Sequence, residues 1–290
     1  MDKRCALLTP AKINLFLRIT GRRPDGYHEL DSLFLPISLF DRITVATAQA
    51  PVAVVSIRCN WREIPLDSRN LAVRAAQLFM TEAQLSARID IDLHKEIPAG
   101  AGLGGGSSDA GAVLRALALL YGFDDRAILH HLALKIGADV PFFLDPRPAR
   151  VGGIGERITY LSGAFPLYLV IGVPPVAVPT AEIYRHLEQT HWSGHVAIEM
   201  PATFDARTIS PELLINDLET VAAARYPQIG KVKVILQGLG ASGVAMSGSG
   251  GAVFGLFPSA EEASKGALEA ASKMPQTLFF AVGVAADAAA

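Results

Sequence analysis

Cysteine is scarce in this chain: only Cys5 and Cys59 occur among 290 residues. Two thiols make no disulfide framework, and no C-x-x-C pair or histidine cluster offers a structural metal site, so the cytoplasm is the expected compartment. A charge excess is lacking too. Twenty-six basic and 28 acidic side chains leave a formal net charge of −2, which gives no general attraction to nucleic acid or to a membrane; any phosphate recognition must therefore be local. Long apolar runs are also missing. Phe165 to Ala181 is uncharged, but Pro166, Pro174, Pro175 and Pro179 interrupt it, and it reads as a buried strand followed by a loop rather than a membrane span. No signal-peptide stretch follows Asp2, Lys3 and Arg4 before Lys12, so secretion by that route is not expected. Internal repeats and low-complexity tracts are absent. What remains is a chain with half its residues apolar, long enough to bury a sizeable core in one or two domains.

Glycine, by contrast, is concentrated. Gly100, Gly102, Gly104, Gly105 and Gly106 fall within the eleven residues Pro98 to Ser108. Each gives up more backbone freedom on folding than any other residue, so such a run needs a reason. A backbone that turns sharply towards a ligand, with a helix N-terminus behind it, is one, and that arrangement binds phosphate. The P-loop pattern requires a lysine where this run has Gly106 or Ser107, and fails. Gly100, Gly102 and Gly105 satisfy the dinucleotide pattern G-x-G-x-x-G literally, but glycine-rich runs match many spacings by chance. The acidic pair Asp124 and Asp125 follows a helix and Gly122, not the strand that a dinucleotide site needs. A different nucleotide-phosphate loop and a plain glycine turn stay open.

The flanking chain supplies candidates. Ala11 to Arg18 alternates as a strand, with Ala11, Ile13, Leu15 and Leu17 on one side and Lys12, Asn14, Phe16 and Arg18 on the other. Pro24, Asp25 and Gly26 form a hairpin tip, from which Tyr27 and His28 emerge together. Extended segments follow at Leu33 to Thr47 and Val52 to Arg58. Asn70 to Ser86 has a helical period, and Ile89 to Leu93 is a strand feeding the glycine run. Asp109 to Leu120 reads as a buried helix capped by Ser107, Ser108 or Asp109. A second helix, Asp125 to Ile136, stops at Gly137; Asp139 just beyond it could cap a turn in which Pro141 stands near the first position. Arg150 to Tyr160 turns between two strands. Past the proline-broken stretch come a strand at Leu167 to Val173, a helix near Thr180 carrying Tyr184, and helical patterns at Pro211 to Ala224 and Gln228 to Leu239. Residues 189–210 are the least patterned. Ser247 to Gly251 reads as a hairpin loop, followed by a helix from Ser259 to Ser272, a strand from Thr277 to Val284 and a frayed alanine-rich tail.

Six stretches, in order, carry a family resemblance: Pro10 to Leu17, Arg23 to Leu30, Gly102 to Asp109, Gly137 to Phe142, Asn216 to Glu219 and Met246 to Gly250. The chain resembles the GHMP small-molecule kinases, whose second motif is a P-x-x-x-G-L-x-S-S loop. That resemblance implies an α+β, two-domain GHMP kinase fold. Its N-terminal domain, residues 1–162, would contain a left-handed β-α-β crossover. Its C-terminal α/β sandwich would span 163–290, with the active site in the cleft between the two.

The resemblance also implies roles. Pro98, Ala99, Gly100, Ala101, Gly102, Leu103, Gly104, Gly105, Gly106, Ser107 and Ser108 would present amides and a helix N-terminus to ATP. Asn70, Leu71 and Lys95 would line the adenine pocket, with Asp109 next to it. Lys12 would stabilise the moving phosphoryl group, and Asp139 would be the general base. Mg²⁺ would accompany ATP, with Ser108 as its protein ligand. The Asp-Gly-Tyr-His hairpin and the longer glycine run imply the branch of the family acting on the 2-hydroxyl of a methylerythritol that carries a cytidine diphosphate. There Tyr27 and Tyr184 would stack on the pyrimidine, His28 would read its edge, and Asn14 would contact the methylerythritol phosphate end. A kinase of the mevalonate or homoserine type would keep the loop and Lys12 but lack the hairpin. A non-catalytic relative would lose Lys12 or Asp139, and both are present. Monomer and homodimer are equally compatible.

Overall fold

In the computed structural model, which describes residues 3–194 and 200–285, the chain builds two sheets in succession. The first comes from the N-terminal 160 residues. Strands β1 (Lys3–Arg22) and β2 (His28–Gln49) form a long antiparallel pair joined by the Pro24-Asp25-Gly26 turn, where Gly26 has φ of 90°. β2 also pairs with β4 (Ala87–His94) and with β5 (Ala149–Gly153), and β5 pairs with β6 (Arg157–Tyr160), all antiparallel. β3 (Val54–Cys59) runs parallel to β4, and the connection between them carries helix α1 (Leu71–Glu82). A mainly antiparallel sheet of this kind is not the parallel sheet of a dinucleotide fold. Against it pack α2 (Gly105–Tyr121) and α3 (Arg126–Ile136), whose alanines and leucines bury the helix faces with α1 in one core.

The second sheet begins at β7 (Tyr168–Val173), in the order β10-β7-β9-β8, all antiparallel, with β8 (Gly243–Met246), β9 (Val253–Phe257) and β10 (Leu278–Gly283). Helices α4 (Thr180–Arg185), α5 (Glu219–Arg225), α6 (Pro227–Gly238) and α7 (Ala260–Lys273) complete this half. Ser259 caps α7 by accepting the Glu262 amide, as its position before the apolar period demands. No described helix is long and apolar enough to cross a membrane. The tail beyond 285, expected to fray, and residues 195–199 of the unpatterned segment lie outside the described residues.

Three expectations are corrected. The alternation of β1 does not run unbroken: Asn14 pairs with Phe34 but Leu17 with Ser32, so three steps on β1 oppose two on β2. This bulge turns Leu17 to the face of Lys12 and Asn14 and sends Phe16 into the core with Ile13 and Leu15. The helical pattern at Pro211 to Ala224 is split into a 3₁₀ turn (Pro211–Leu214) and α5. Asn216 and Asp217 interrupt it because Leu17 takes their backbone: its amide donates to Ile215 O at 2.8 Å and its carbonyl accepts the Asp217 amide at 2.9 Å. Finally, α2 starts at Gly105 with no side-chain cap. Ser107, Ser108 and Asp109 lie within its first turns instead.

Candidate active site

The glycine run leaves β4 and enters α2 through three left-handed residues, Gly100, Gly102 and Gly104, at φ of 69°, 77° and 73°. Side chains are excluded at two of them by contact as well as by strain. A Cβ on Gly102 would stand 2.4 Å from the carbonyl oxygen of Ser247, and one on Gly104 would stand 2.9 Å from Phe143 and 3.0 Å from Lys12. Residues 99 and 100 form a turn and residues 101–103 bend on towards the helix. With α2 uncapped behind them, the loop amides and the helix terminus make a concavity of positive potential.

The hairpin loop Ser247 to Gly251 does connect β8 to β9, and it also touches the first loop. The Ala252 amide donates to Ala101 O at 2.8 Å, Ser247 Oγ to Gly102 O at 3.1 Å, and the Asn14 amide to Ser247 Oγ at 3.2 Å. Asn216 fixes its base by donating from Nδ2 to the carbonyls of Met246 and Gly248, both at 2.8 Å. The two glycine loops thus meet between the sheets, and β1 joins them, for the Lys12 amide donates to Leu103 O at 2.9 Å.

A cleft of about 510 Å³ opens there. Lys12, far from a solvated strand face, is 3% exposed on its wall. Its ammonium donates to Asn14 Oδ1 at 2.5 Å, lies 4.6 Å from the centre of the Phe34 ring and stands 3.4 Å from Asp139 Oδ2. Asp139 heads the 3₁₀ turn Val140–Leu144, yet its side chain makes no capping bond. Its carboxylate faces Lys12 and, one-third exposed, the cleft. Asn14 is spoken for: its amide nitrogen donates to Ser32 Oγ at 2.9 Å while its oxygen holds Lys12. It therefore positions the ammonium, whatever else it touches.

Of the other expected residues, Pro98 to Ser107, Asp109, Asn70, Leu71, Lys95 and Tyr184 line the cleft. Asn70 also caps α1, accepting the Ala72 amide at 2.9 Å. Lys95 is tied to two carboxylates, donating to Asp109 Oδ2 at 2.8 Å and to Asp41 Oδ2 more closely still. Burial opposes its charge, but Asp109 and Asp41 outweigh that and hold its pKa above the ordinary lysine value. Burial raises the Asp109 carboxyl to about 7 despite the pull of Lys95. Arg69, beside Asn70 on the wall, was not expected; an arginine in a loop gives no periodic signal.

Two expected residues, Tyr27 and His28, do not line the cleft. Tyr27 is 62% exposed at the hairpin tip and does not pair with Tyr184. His28 does: its ring centre lies 5.4 Å from that of Tyr184, and the edge of Trp192 packs against it at 5.7 Å and 90°. Burial, then Arg22, keeps His28 below the ordinary histidine pKa. Burial and then Asp139 raise the Tyr184 phenol. Trp192 comes from the unpatterned segment and could not be found by period. Asp217 places it, accepting the Ser193 amide at 2.8 Å, the Ser193 hydroxyl at 2.5 Å and the Ile19 amide at 2.7 Å.

Nor does Ser108 reach the cleft. It is fully buried, its hydroxyl donating to Pro10 O at 2.6 Å and touching Thr9 Oγ1. No group of three acidic, histidine or cysteine side chains suited to a metal occurs among the described residues. Ser108, with its hydroxyl committed to Pro10 O, does not fit the role of metal ligand.

Residues 70–145 match the GHMP kinases N terminal domain, and residues 201–276 the GHMP kinases C terminal domain. A 4-diphosphocytidyl-2-C-methyl-D-erythritol kinase from Syntrophotalea carbinolica is 41% identical over 92% of this chain and 95% of its own length. The chain belongs to the GHMP kinases. A second relative of this GHMP kinase, bearing the same name and coming from Geobacter sp. strain M21, is 40% identical over 92% of the chain and 94% of its own. Among solved structures, a 4-(cytidine 5'-diphospho)-2C-methyl-D-erythritol kinase superposes with a TM-score of 0.76 at 35% identity, covering 98% of this kinase and 99% of the other. The homoserine kinase from Cytophaga hutchinsonii reaches 0.75 over 97% and 95% of the two chains at 18% identity, a likeness of fold alone.

Proposed function

We propose that this GHMP kinase transfers the γ-phosphoryl group of ATP to the 2-hydroxyl of 4-diphosphocytidyl-2-C-methyl-D-erythritol, a step of the non-mevalonate route to isoprenoids. The observation that carries the chemistry is the Lys12–Asp139 pair, at 3.4 Å, in a cleft walled by the uncapped glycine loop. Phosphoryl transfer asks a protein to align two reactants and to stabilise charge on the moving group. The loop amides and the α2 terminus hold the phosphates, in a loop without a lysine of its own. Lys12 supplies the missing positive charge, and Asn14 and Phe34 keep its ammonium pointed. Asp139 takes the proton of the acceptor hydroxyl as the bond to phosphorus forms. The acceptor follows from the relatives, which bear this substrate in their names across nearly the whole chain. Tyr184, on the cleft wall with His28 packed against its ring, offers an aromatic face for the cytosine.

Mg²⁺ would accompany ATP and offset charge on its phosphates; Ser108, engaged with Pro10, would not be its ligand. The deciding experiment is a coupled ADP-release assay with 4-diphosphocytidyl-2-C-methyl-D-erythritol, mevalonate and homoserine side by side. Turnover is expected on the first alone. Turnover only on either of the others would overturn the acceptor assignment.

A further inference from the structure

Asp41, in the middle of β2, is fully buried and carries no role in the chemistry above. One of its carboxylate oxygens accepts the amides of Glu96 at 2.6 Å and Ile97 at 2.9 Å, the two residues directly before Pro98. Its other oxygen pairs with the ammonium of Lys95, which donates in turn to Asp109 at 2.8 Å. Asp109 lies in α2, on the far side of the glycine run. The start and the end of the phosphate loop are therefore tied through one carboxylate and one ammonium, with Lys95 and Asp109 only 4% and 3% exposed. The tie is tight, since a Cβ on Gly105 would meet Ile97 at 2.9 Å and Lys95 Nζ at 3.2 Å.

We propose that Asp41 is a positioning residue for nucleotide binding: it clamps the two ends of the phosphate loop at the separation its amides need to converge on an anion. Three left-handed glycines in a short span leave the loop free to sample other shapes, and the freedom lost on binding weakens affinity. Fixing both ends from the sheet removes much of that freedom beforehand. The Asp41 carboxylate suits the task because it accepts two amides and an ammonium at once, which no neutral side chain does.

This rests on reading the loop as the ATP site, and the test uses ADP, which needs no alcohol acceptor. Asp41→Asn preserves shape and one acceptor oxygen, but its amide cannot accept from Lys95. In calorimetric titration this variant, shown folded by circular dichroism, should bind ADP about tenfold or more weakly, with affinity for cytidine diphosphate changed less than twofold. Asp109→Asn breaks only the far tie and should weaken ADP less. Wild-type ADP affinity in folded Asp41→Asn, equal loss of both ligands, or a larger ADP effect from Asp109→Asn would each overturn the clamp. Hydrogen exchange on the wild type is independent of whether variants fold. The amides of Glu96 and Ile97 should be protected without nucleotide to the level of β4, and rapid exchange there would sink the proposal. Wild-type protein that bound no ADP would instead overturn the kinase reading itself.

Discussion

The two ends of the cleft are built in opposite ways. At the phosphate loop the wall is main chain: three left-handed glycines, an uncapped helix and a second glycine loop, with Asp41 and Lys95 bonded beneath. At the acceptor end Tyr184 lines the cleft, with His28 packed on its ring, Trp192 on that of His28, and Asp217 holding Ser193 next to Trp192. Main-chain recognition is indifferent to what the phosphates are attached to, whereas aromatic walls select a flat group of given size. On the function proposed above, the backbone loops serve the phosphates and the aromatic rings serve the acceptor.

The residues where the two ends meet should give the largest effect. Asp139→Ala removes the base without disturbing a cap, because the side chain makes no capping bond. Turnover should fall about 10²- to 10⁴-fold, with melting temperature and ADP affinity near wild type. Retained turnover would remove Asp139 from the mechanism.

Next come the glycines, which test whether the nucleotide end depends on interlocking or only on backbone shape. Gly100 and Gly102 share the left-handed conformation, but a Cβ meets nothing within 4 Å at Gly100 and lies 2.4 Å from Ser247 O at Gly102. Gly100→Ala should lose about 1 kcal/mol of stability from backbone strain alone. Gly102→Ala must also part the two loops, and its loss should exceed that of Gly100→Ala severalfold in chemical denaturation. Equal losses would show that the loops do not depend on one another.

At the acceptor end, Tyr184→Ala should raise KM for the cytidine substrate by an amount equivalent to about 1–3 kcal/mol, the scale of base stacking on an aromatic ring. KM for ATP should hardly move. Trp192→Phe, which keeps an edge against His28, should fall well below that. Steady-state kinetics with each substrate varied in turn separates the two. A Tyr184→Ala variant that raised both constants alike would blur the division drawn between the ends.

This division also explains what could be read from residues alone. The glycine run was legible because the backbone shape it needs can be made by few residue types, so composition itself carries the signal. Lys12 and Asp139 gained their meaning from family likeness, since a strand lysine and an aspartate before proline each have a plain structural reading. The cap reading of Asp139 fell only when its carboxylate was found on Lys12. The aromatic end was only partly legible. Tyr27 adjoins His28 in sequence, but successive residues leave an extended chain on opposite sides, and Tyr27 ended in solvent. Its place beside His28 is taken by Trp192, brought there by Asp217 from a segment with no period. Asp41 gave no signal at all, because one acidic residue in a β-strand looks like a solvent-facing position until its partners are known.

A pH-dependent effect concerns the charge beneath the nucleotide end. Asp109 has its pKa raised from 3.8 to about 7 by burial. Between those values the folded protein holds a proton that the unfolded chain releases. Stability from this group is therefore full below about pH 4 and declines as pH rises towards 7, with a limiting slope of about 1.4 kcal/mol per pH unit for one proton. Asp109→Asn cannot titrate. Denaturation at a series of pH values from 4 to 8 should show the variant gaining on the wild type as pH increases. Parallel curves would mean that Lys95 already holds Asp109 ionised at low pH, against both burial and the neighbouring Asp41 carboxylate. The nucleotide end would then carry a permanent excess negative charge under the loop, which would weaken the electrostatic side of the comparison while leaving its main-chain side intact.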